Sequence, residues 1–162
     1  MANPFLSTGH SMTQKPELGQ FFMHTHENYE IYCFLTGNAK YYVEGNVYPL
    51  KPGDILVMKK AEAHSLFVNS CVPYERIVIS FNADALVEES REELCHFLDN
   101  RPLGLHNRYA ASKFKESNWL YYLMRMCKTE RLSEKQLYLS ILVNELYESY
   151  PLINSETTAP GD

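Results

Sequence analysis

Four residues in this chain have the types and spacing to do chemistry: His24, His26, Glu30 and His64. His24 and His26 stand two apart, so on a strand both imidazoles point to one face. Glu30 keeps the same parity after a turn expected at Glu27-Asn28, and His64 opens a later extended segment. Three imidazoles and one carboxylate converging on a point suit Zn²⁺, Ni²⁺, Mn²⁺ or Fe²⁺, with one or two positions left for water or ligand. The same histidines also serve to hydrogen-bond a carboxylate or a sugar hydroxyl, which equally satisfies a buried polar group. In either case they line a pocket. Tyr32 shares the parity of Glu30 and is the first tyrosine expected there, with Tyr42 the second. His10, His96 and His106 have no legible partner and are expected at the surface.

The elements that must position these residues are short. Candidate strands are Phe21–His26, Tyr29–Leu35, Lys40–Val43, Val47–Leu50, Asp54–Met58, His64–Val68 and Glu75–Phe81, rich in aromatic and β-branched residues. Turn signals separate them at Thr36-Gly37-Asn38, Glu44-Gly45-Asn46 and Pro52-Gly53-Asp54. Strands this short and evenly spaced predict an antiparallel sandwich or barrel.

Past Asn82 the pattern turns helical. Residues 84–99 have room for one or two short helices, and Lys113–Lys128 has one apolar side. A last helix is expected to start at Ser133, where Gln136 completes a capping-box pattern, and to stop before Pro151. Its apolar arc, including Leu137, Ile141, Leu142 and Leu146, is wider than docking on one core requires, which points to packing on both the barrel and a partner subunit, the alternative being a helix sunk between its neighbour and the barrel in a monomer. The expected organisation is an N-terminal arm (1–18), a barrel with a short connecting helical region (19–107), a helical hairpin that dimerises (108–151) and a linker (152–162).

Composition narrows the functional classes. The 162 residues suit one domain with a small appendage, and 45% are apolar. No run approaches the roughly 18 apolar residues of a membrane helix, and the N-terminus lacks a secretory pattern. Four scattered cysteines without a CxxC pair predict reduced thiols and a cytoplasmic protein. A net charge of −5, with only Lys59–Lys60 as a basic pair, argues against direct nucleic-acid binding by this chain alone.

The spacing His-x-His, three residues, Glu, six residues, Gly from His24 to Gly37, followed by Gly45, Pro52-Gly53-Asp54 and His64, resembles the two sequence motifs of the cupin superfamily. One departure is that four residues stand between Gly19 and His24 where the family pattern has five. This resemblance covers about residues 19 to 82. It implies a double-stranded β-barrel (a jelly roll), mainly β, followed here by an α-helical pair. In metal-binding members the matching positions, here His24, His26, Glu30 and His64, are ligands. More narrowly, Tyr29-Glu30-Ile31-Tyr32, the run from Leu50 to Asp54, and Tyr74-Glu75-Arg76-Ile77-Val78 with Phe81 are similar to the sensor domain of AraC-type transcription regulators. That resemblance implies a small-molecule effector, with a sugar the expected class, and a homodimer formed through the helical pair. It also implies that the DNA-binding half lies outside this chain. A metal-dependent cupin enzyme, an isomerase or dioxygenase using the same four residues, is the rival; a stand-alone sugar-binding module is a third class.

Overall fold

The computed structural model describes residues 5–154. Among these residues nine strands form two antiparallel sheets, and of three α-helices one precedes the last strand and two follow it. The strands are β1 (Leu6–Thr13), β2 (Gly19–Gln20), β3 (Tyr29–Thr36), β4 (Ala39–Val43), β5 (Asn46–Pro49), β6 (Ile55–Met58), β7 (His64–Val68), β8 (Tyr74–Phe81) and β9 (Arg108–Tyr109). The helices are α1 (Glu88–Asn100), α2 (Trp119–Lys128) and α3 (Leu132–Asn154). One sheet runs β1-β8-β3-β6-β9 and the other β2-β7-β4-β5. This is the cupin double-stranded barrel with its helices behind one sheet.

The larger sheet is buried on both faces, which is why β3 carries no polar face except Glu30. Its inward residues, Tyr32, Phe34, Leu56, Met58 and Tyr74, pack with Ala39, Tyr41 and Val43 of the smaller sheet as the barrel interior. Its outward residues, among them Ile31, Ile55, Val57, Ile77 and Ile79, form a second core with Leu94 and Leu98 of α1, Leu123 of α2, and Leu139, Leu142 and Leu146 of α3. Burying each such leucine contributes about 1.5–3 kcal/mol. The wide apolar arc of α3 is therefore spent largely inside the chain: Leu142 and Leu146 are fully buried, and the large apolar residues left exposed are Leu137, Ile141 and, past Pro151, Leu152.

Several expectations need correction. The arm contains a strand: β1 pairs with β8 over eight positions, from Leu6↔Phe81 to Thr13↔Tyr74. Only Leu6 of β1 is buried, so backbone pairing along a sheet edge, invisible to side-chain pattern, makes the strand. Phe21–His26 is not a continuous strand. Gly19 and Gln20 pair with Val68 and Phe67, but His24 pairs with His64, a register shifted by one residue. The extra residue bulges, leaving Phe22 92% exposed.

The helical boundaries also differ. Residues 113–118 form turns, Phe114 packing its ring on Tyr109 and Trp119, and α2 starts only at Trp119. Ser133 is the second residue of α3, and Thr129, which ends α2, accepts from Arg131 N (3.2 Å) and donates to Glu134 in the first turn of α3 (2.7 Å). Pro151 lies inside α3. The turn beyond it is held by buried Ile153 and by Lys113 Nζ, which donates to the Leu152 carbonyl at 2.6 Å. Residues 152–154 thus belong to the helix rather than a linker, and 155–162 lie outside the described residues. All four cysteines are free.

The turn glycines meet their expected roles. Glu44 and Gly45 both have positive φ (48° and 84°), as a two-residue hairpin loop demands. Asp54 then locks the next turn, its carboxylate accepting from Lys51 N and Ala111 N, both at 2.9 Å.

Barrel and helices are tied by one buried ion pair that sequence alone gave no sign of. Glu62, with no exposed surface, accepts from Arg101 at 2.6 and 2.8 Å. It also accepts from Gly104 N (2.7 Å), Lys59 N (3.0 Å) and Asn107 Nδ2 (3.1 Å). Burial alone would raise the Glu62 pKa, but Arg101 and these backbone donors outweigh it and hold the carboxyl below its usual range. The stability it contributes is therefore fully present above the ordinary glutamate pKa and is lost as pH falls through the depressed folded value. Glu62→Ala, which strands the Arg101 charge, should cost about 3–5 kcal/mol in urea unfolding at neutral pH. A loss below about 1 kcal/mol would show that water replaces the carboxylate without cost.

Candidate functional site

The site is built around the single pairing of His24 and His64, whose backbones exchange hydrogen bonds at 3.0 Å in both directions. The bulge before His24 sets that pairing. Ala61 N donates to the His26 carbonyl at 2.9 Å, so the loop ahead of β7 holds the second histidine in place. Glu30 comes from β3 across the barrel, on the inward parity shared with Tyr32.

The three imidazoles converge. Ring centroids lie 4.6 Å apart for His24–His26, 4.4 Å for His24–His64 and 5.1 Å for His26–His64. One ring nitrogen of each falls within 4.8 Å of the others. Glu30 faces them, with Oε1 3.7 Å from His26 Nε2 and Oε2 3.3 Å from His64 Nε2. The geometry thus brings together all four residues expected to converge.

Tautomers follow from the backbone. His64 Nδ1 lies 2.8 Å from the Glu62 carbonyl and His24 Nδ1 lies 3.0 Å from the Phe22 carbonyl. A carbonyl only accepts, so each Nδ1 carries the proton and each Nε2 keeps its lone pair toward the barrel. That is the arrangement metal-binding histidines use, the far nitrogen being oriented by a second partner. The 3.3 Å approach of Glu30 to His64 lacks hydrogen-bond direction, and both Glu30 Oε2 and His64 Nε2 are buried without a partner. Two such atoms facing each other form a place a cation would satisfy, and three nitrogens with one oxygen suit a divalent transition metal. Desolvation, aided by His24 and His64, lowers the His26 pKa against the pull of Glu30. Burial also presses on His64, but Glu30 and the Glu62 carbonyl outweigh it and leave that pKa raised.

Beside His24 the barrel opens into a cavity of about 510 Å³. Its inner wall is Tyr41, Leu66, Val68, Tyr74 and Arg76; Phe21 and the segment Thr13–Glu17 contribute Thr13, Lys15, Pro16 and Glu17 at the rim. Tyr32 lies just behind, its hydroxyl bonded to that of Tyr74 and its ring 4.9 Å from that of Tyr41. Burial first, then neighbouring acidic and phenolic groups, keeps the Tyr32 and Tyr41 phenols well above their usual range, so both remain neutral donors.

Tyr42 does not face this cavity. It lies on the outer face of β4, its ring against Phe67 and Lys40. Tyr41 takes the inward position instead, 5.9 Å from the His64 ring. The alternation Ala39, Tyr41, Val43 against Lys40, Tyr42 carried that signal, because a lysine marks the solvent face of a strand. Tyr74, Arg76 and Thr13 were not legible as pocket residues, since which side of β8 faces inward depends on its neighbours in the sheet. His10 pairs with Glu75 across the β1–β8 edge at 2.7 Å, and His96 accepts from Asn100, so neither lacks a partner.

Among solved structures, the chain is similar to a cupin protein from Bacteroides fragilis (24% identity, TM-score 0.44, covering 52% of this chain and 71% of that one). It is also similar to the DMSP lyase DddQ from Ruegeria pomeroyi (24%, TM-score 0.43, 50% of this chain) and to a Cupin 2 conserved barrel domain protein from Salinispora arenicola (19%, TM-score 0.43, 51% and 68%). The chain spans 40% of the length of the lyase structure. No curated protein matches it by sequence. The model of the AraC-like ligand-binding domain matches residues 14–126, which takes in β2 to β9, α1 and most of α2. The chain therefore belongs to the AraC-like ligand-binding domain family.

Proposed function

We propose that this chain is the effector-sensing and dimerisation part of an AraC-type bacterial transcription regulator, acting in the cytoplasm, with its DNA-binding half outside residues 1–162. The observation that carries the reading is an open cavity inside the barrel whose wall strands also touch the helices. Thr13 and Arg76, on β1 and β8, line the cavity. On the same β1, Thr8 Oγ1 accepts from Lys135 Nζ of α3 at 2.8 Å. An effector that prefers one arrangement of these strands shifts the helices with it, and that differential affinity is all that coupling requires.

Dimerisation through the helices fits the apolar residues they leave exposed: Leu120 and Tyr121 on α2 with Leu137 and Ile141 on α3, joined by the Tyr121–Tyr138 ring contact. A divalent transition metal (Zn²⁺, Ni²⁺, Mn²⁺ or Fe²⁺) on His24, His26, His64 and Glu30 fits the two partnerless buried atoms. The same geometry favours one rival, a metal-dependent cupin enzyme of the isomerase or dioxygenase kind, because the metal position adjoins an open cavity. For the sensor, the cation would serve as part of the effector's binding surface.

Three measurements check this reading. Residues 1–162 should give no sequence-specific shift with promoter duplexes at physiological salt, since phosphate contacts need clustered Lys and Arg. An extended chain, taken from an open reading frame that runs on into helix-turn-helix sequence, should bind and respond to effector. Specific binding by residues 1–162 alone, or a gene with no such continuation, would overturn the regulator assignment. Leu137→Glu combined with Ile141→Glu should give a monomer by light scattering with an unchanged circular dichroism spectrum; a monomeric parent protein would refute the dimer. Elemental analysis should find about one transition metal per chain, lost in His26→Ala; purified protein free of metal after growth in supplemented medium would remove the metal from the proposal.

A further inference from the structure

Arg76 stands out as a charge inside the barrel that the fold leaves largely unused. It sits on β8 between two apolar neighbours, Tyr74 and Val78, on the inward face. A guanidinium carries five N–H donors. Among the described residues, one protein acceptor meets them: Thr13 Oγ1, 2.8 Å from an Arg76 terminal nitrogen. The guanidinium also lies 4.7 Å from the centre of the Tyr74 ring, which fixes its plane against the cavity wall. No carboxylate among the described residues forms an ion pair with it. Glu30 is turned to the histidines, and Glu75, its chain neighbour, points outward to His10. Of the charged residues that line the cavity, Lys15 and Glu17 at the rim are of opposite sign and Arg76 is left unbalanced, with Glu30 lying beyond it at the histidines.

We propose that the effector is a small organic acid, a sugar acid or hydroxy acid, whose carboxylate is held by Arg76 while its hydroxyls meet the cavity's phenols. The proposal deepens the reading of the cavity as an effector site and depends on it. A planar guanidinium already positioned by Thr13 and Tyr74 matches a carboxylate in two parallel hydrogen bonds. The hydroxyls of Tyr41 and Tyr74, kept neutral by burial, supply donors for a polyol, and Leu66, Val68 and Phe21 cover an apolar ring face. A neutral sugar would leave the guanidinium desolvated with no counter-charge, which disfavours it against its acid.

Matched pairs that differ only in the carboxylate test this: D-glucuronate against D-glucose, D-galacturonate against D-galactose, and lactate against 1,2-propanediol. Titration calorimetry on the protein as purified should show at least one acid bound about tenfold or more tightly than its neutral partner, with affinity falling as salt rises. Arg76→Gln should erase that preference, and Arg76→Lys should keep part of it; Thr13→Val, which frees the guanidinium from its anchor, should weaken the acid while keeping the preference. Circular dichroism confirms that each variant folds. Neutral members binding as well as their acids, no acid binding at all, or Arg76→Gln leaving acid binding intact would each overturn the proposal. The regulator reading stands or falls separately, on DNA binding by the extended chain, so the two failures are distinguishable.

Discussion

A carboxylate with no exposed surface must be fully hydrogen-bonded or it destabilises the fold, and satisfying Glu62 organises this molecule. Its partners come from three places: Lys59 in its own loop, Arg101 just after α1, and Gly104 and Asn107 in the segment that leads back to β9. Asn107 in turn donates to the Val57 carbonyl of β6 at 2.9 Å, and Lys59 Nζ reaches the Asp99 carbonyl at the end of α1. One side chain therefore closes the barrel floor, ends a helix and returns the chain to the sheet. The same residue's backbone carbonyl orients His64. A disturbance at Glu62 would reach the histidine cluster through two residues of backbone, and the helices through Arg101.

The central sheet makes the second arrangement possible. Because β3, β6 and β8 are buried on both faces, one face encloses the cavity and the other carries the helices. Close-packed interiors transmit small displacements rather than absorbing them. A shift of β8 on effector binding has direct routes outward through β1 to Lys135 and through the packed outer face to α3. Tyr109, whose hydroxyl donates to the Leu146 carbonyl at 3.0 Å, ties the last strand to the same helix. The sensor reading needs such a two-faced element, and a barrel alone would not supply it.

Inside the barrel, polar chemistry is divided between two neighbouring regions. The histidines and Glu30 present lone pairs and a carboxylate, which suit a cation. Arg76, Tyr41 and Tyr74 present donors, which suit an anion with hydroxyls. His24 belongs to both, since it is part of the triad and lines the cavity. Opposite charges held apart by a few side chains specify a ligand more sharply than either could alone, because a wrong ligand leaves one set unpaired.

The sequence by itself determined what local periodicity and turn chemistry can encode. The strands from Tyr29 to Phe81 were legible because side chains alternate along them and glycines mark the turns between. Parity grouped His24, His26 and Glu30, and the resemblance to the cupin motifs added His64 to them. Other features depend on contacts between residues far apart in the chain, and only the tertiary structure decided them. β1 was hidden because its partner is β8 and its own side chains are polar. The one-residue bulge before His24 exists only relative to β7. Glu62 and Arg101, 39 residues apart, look like ordinary surface charges until the fold buries both. Arg76 became a cavity residue because the neighbours of β8 on either side set which of its faces turns inward. Parity tells which residues share a face; the packing of one sheet on another decides whether that face meets water, core or ligand.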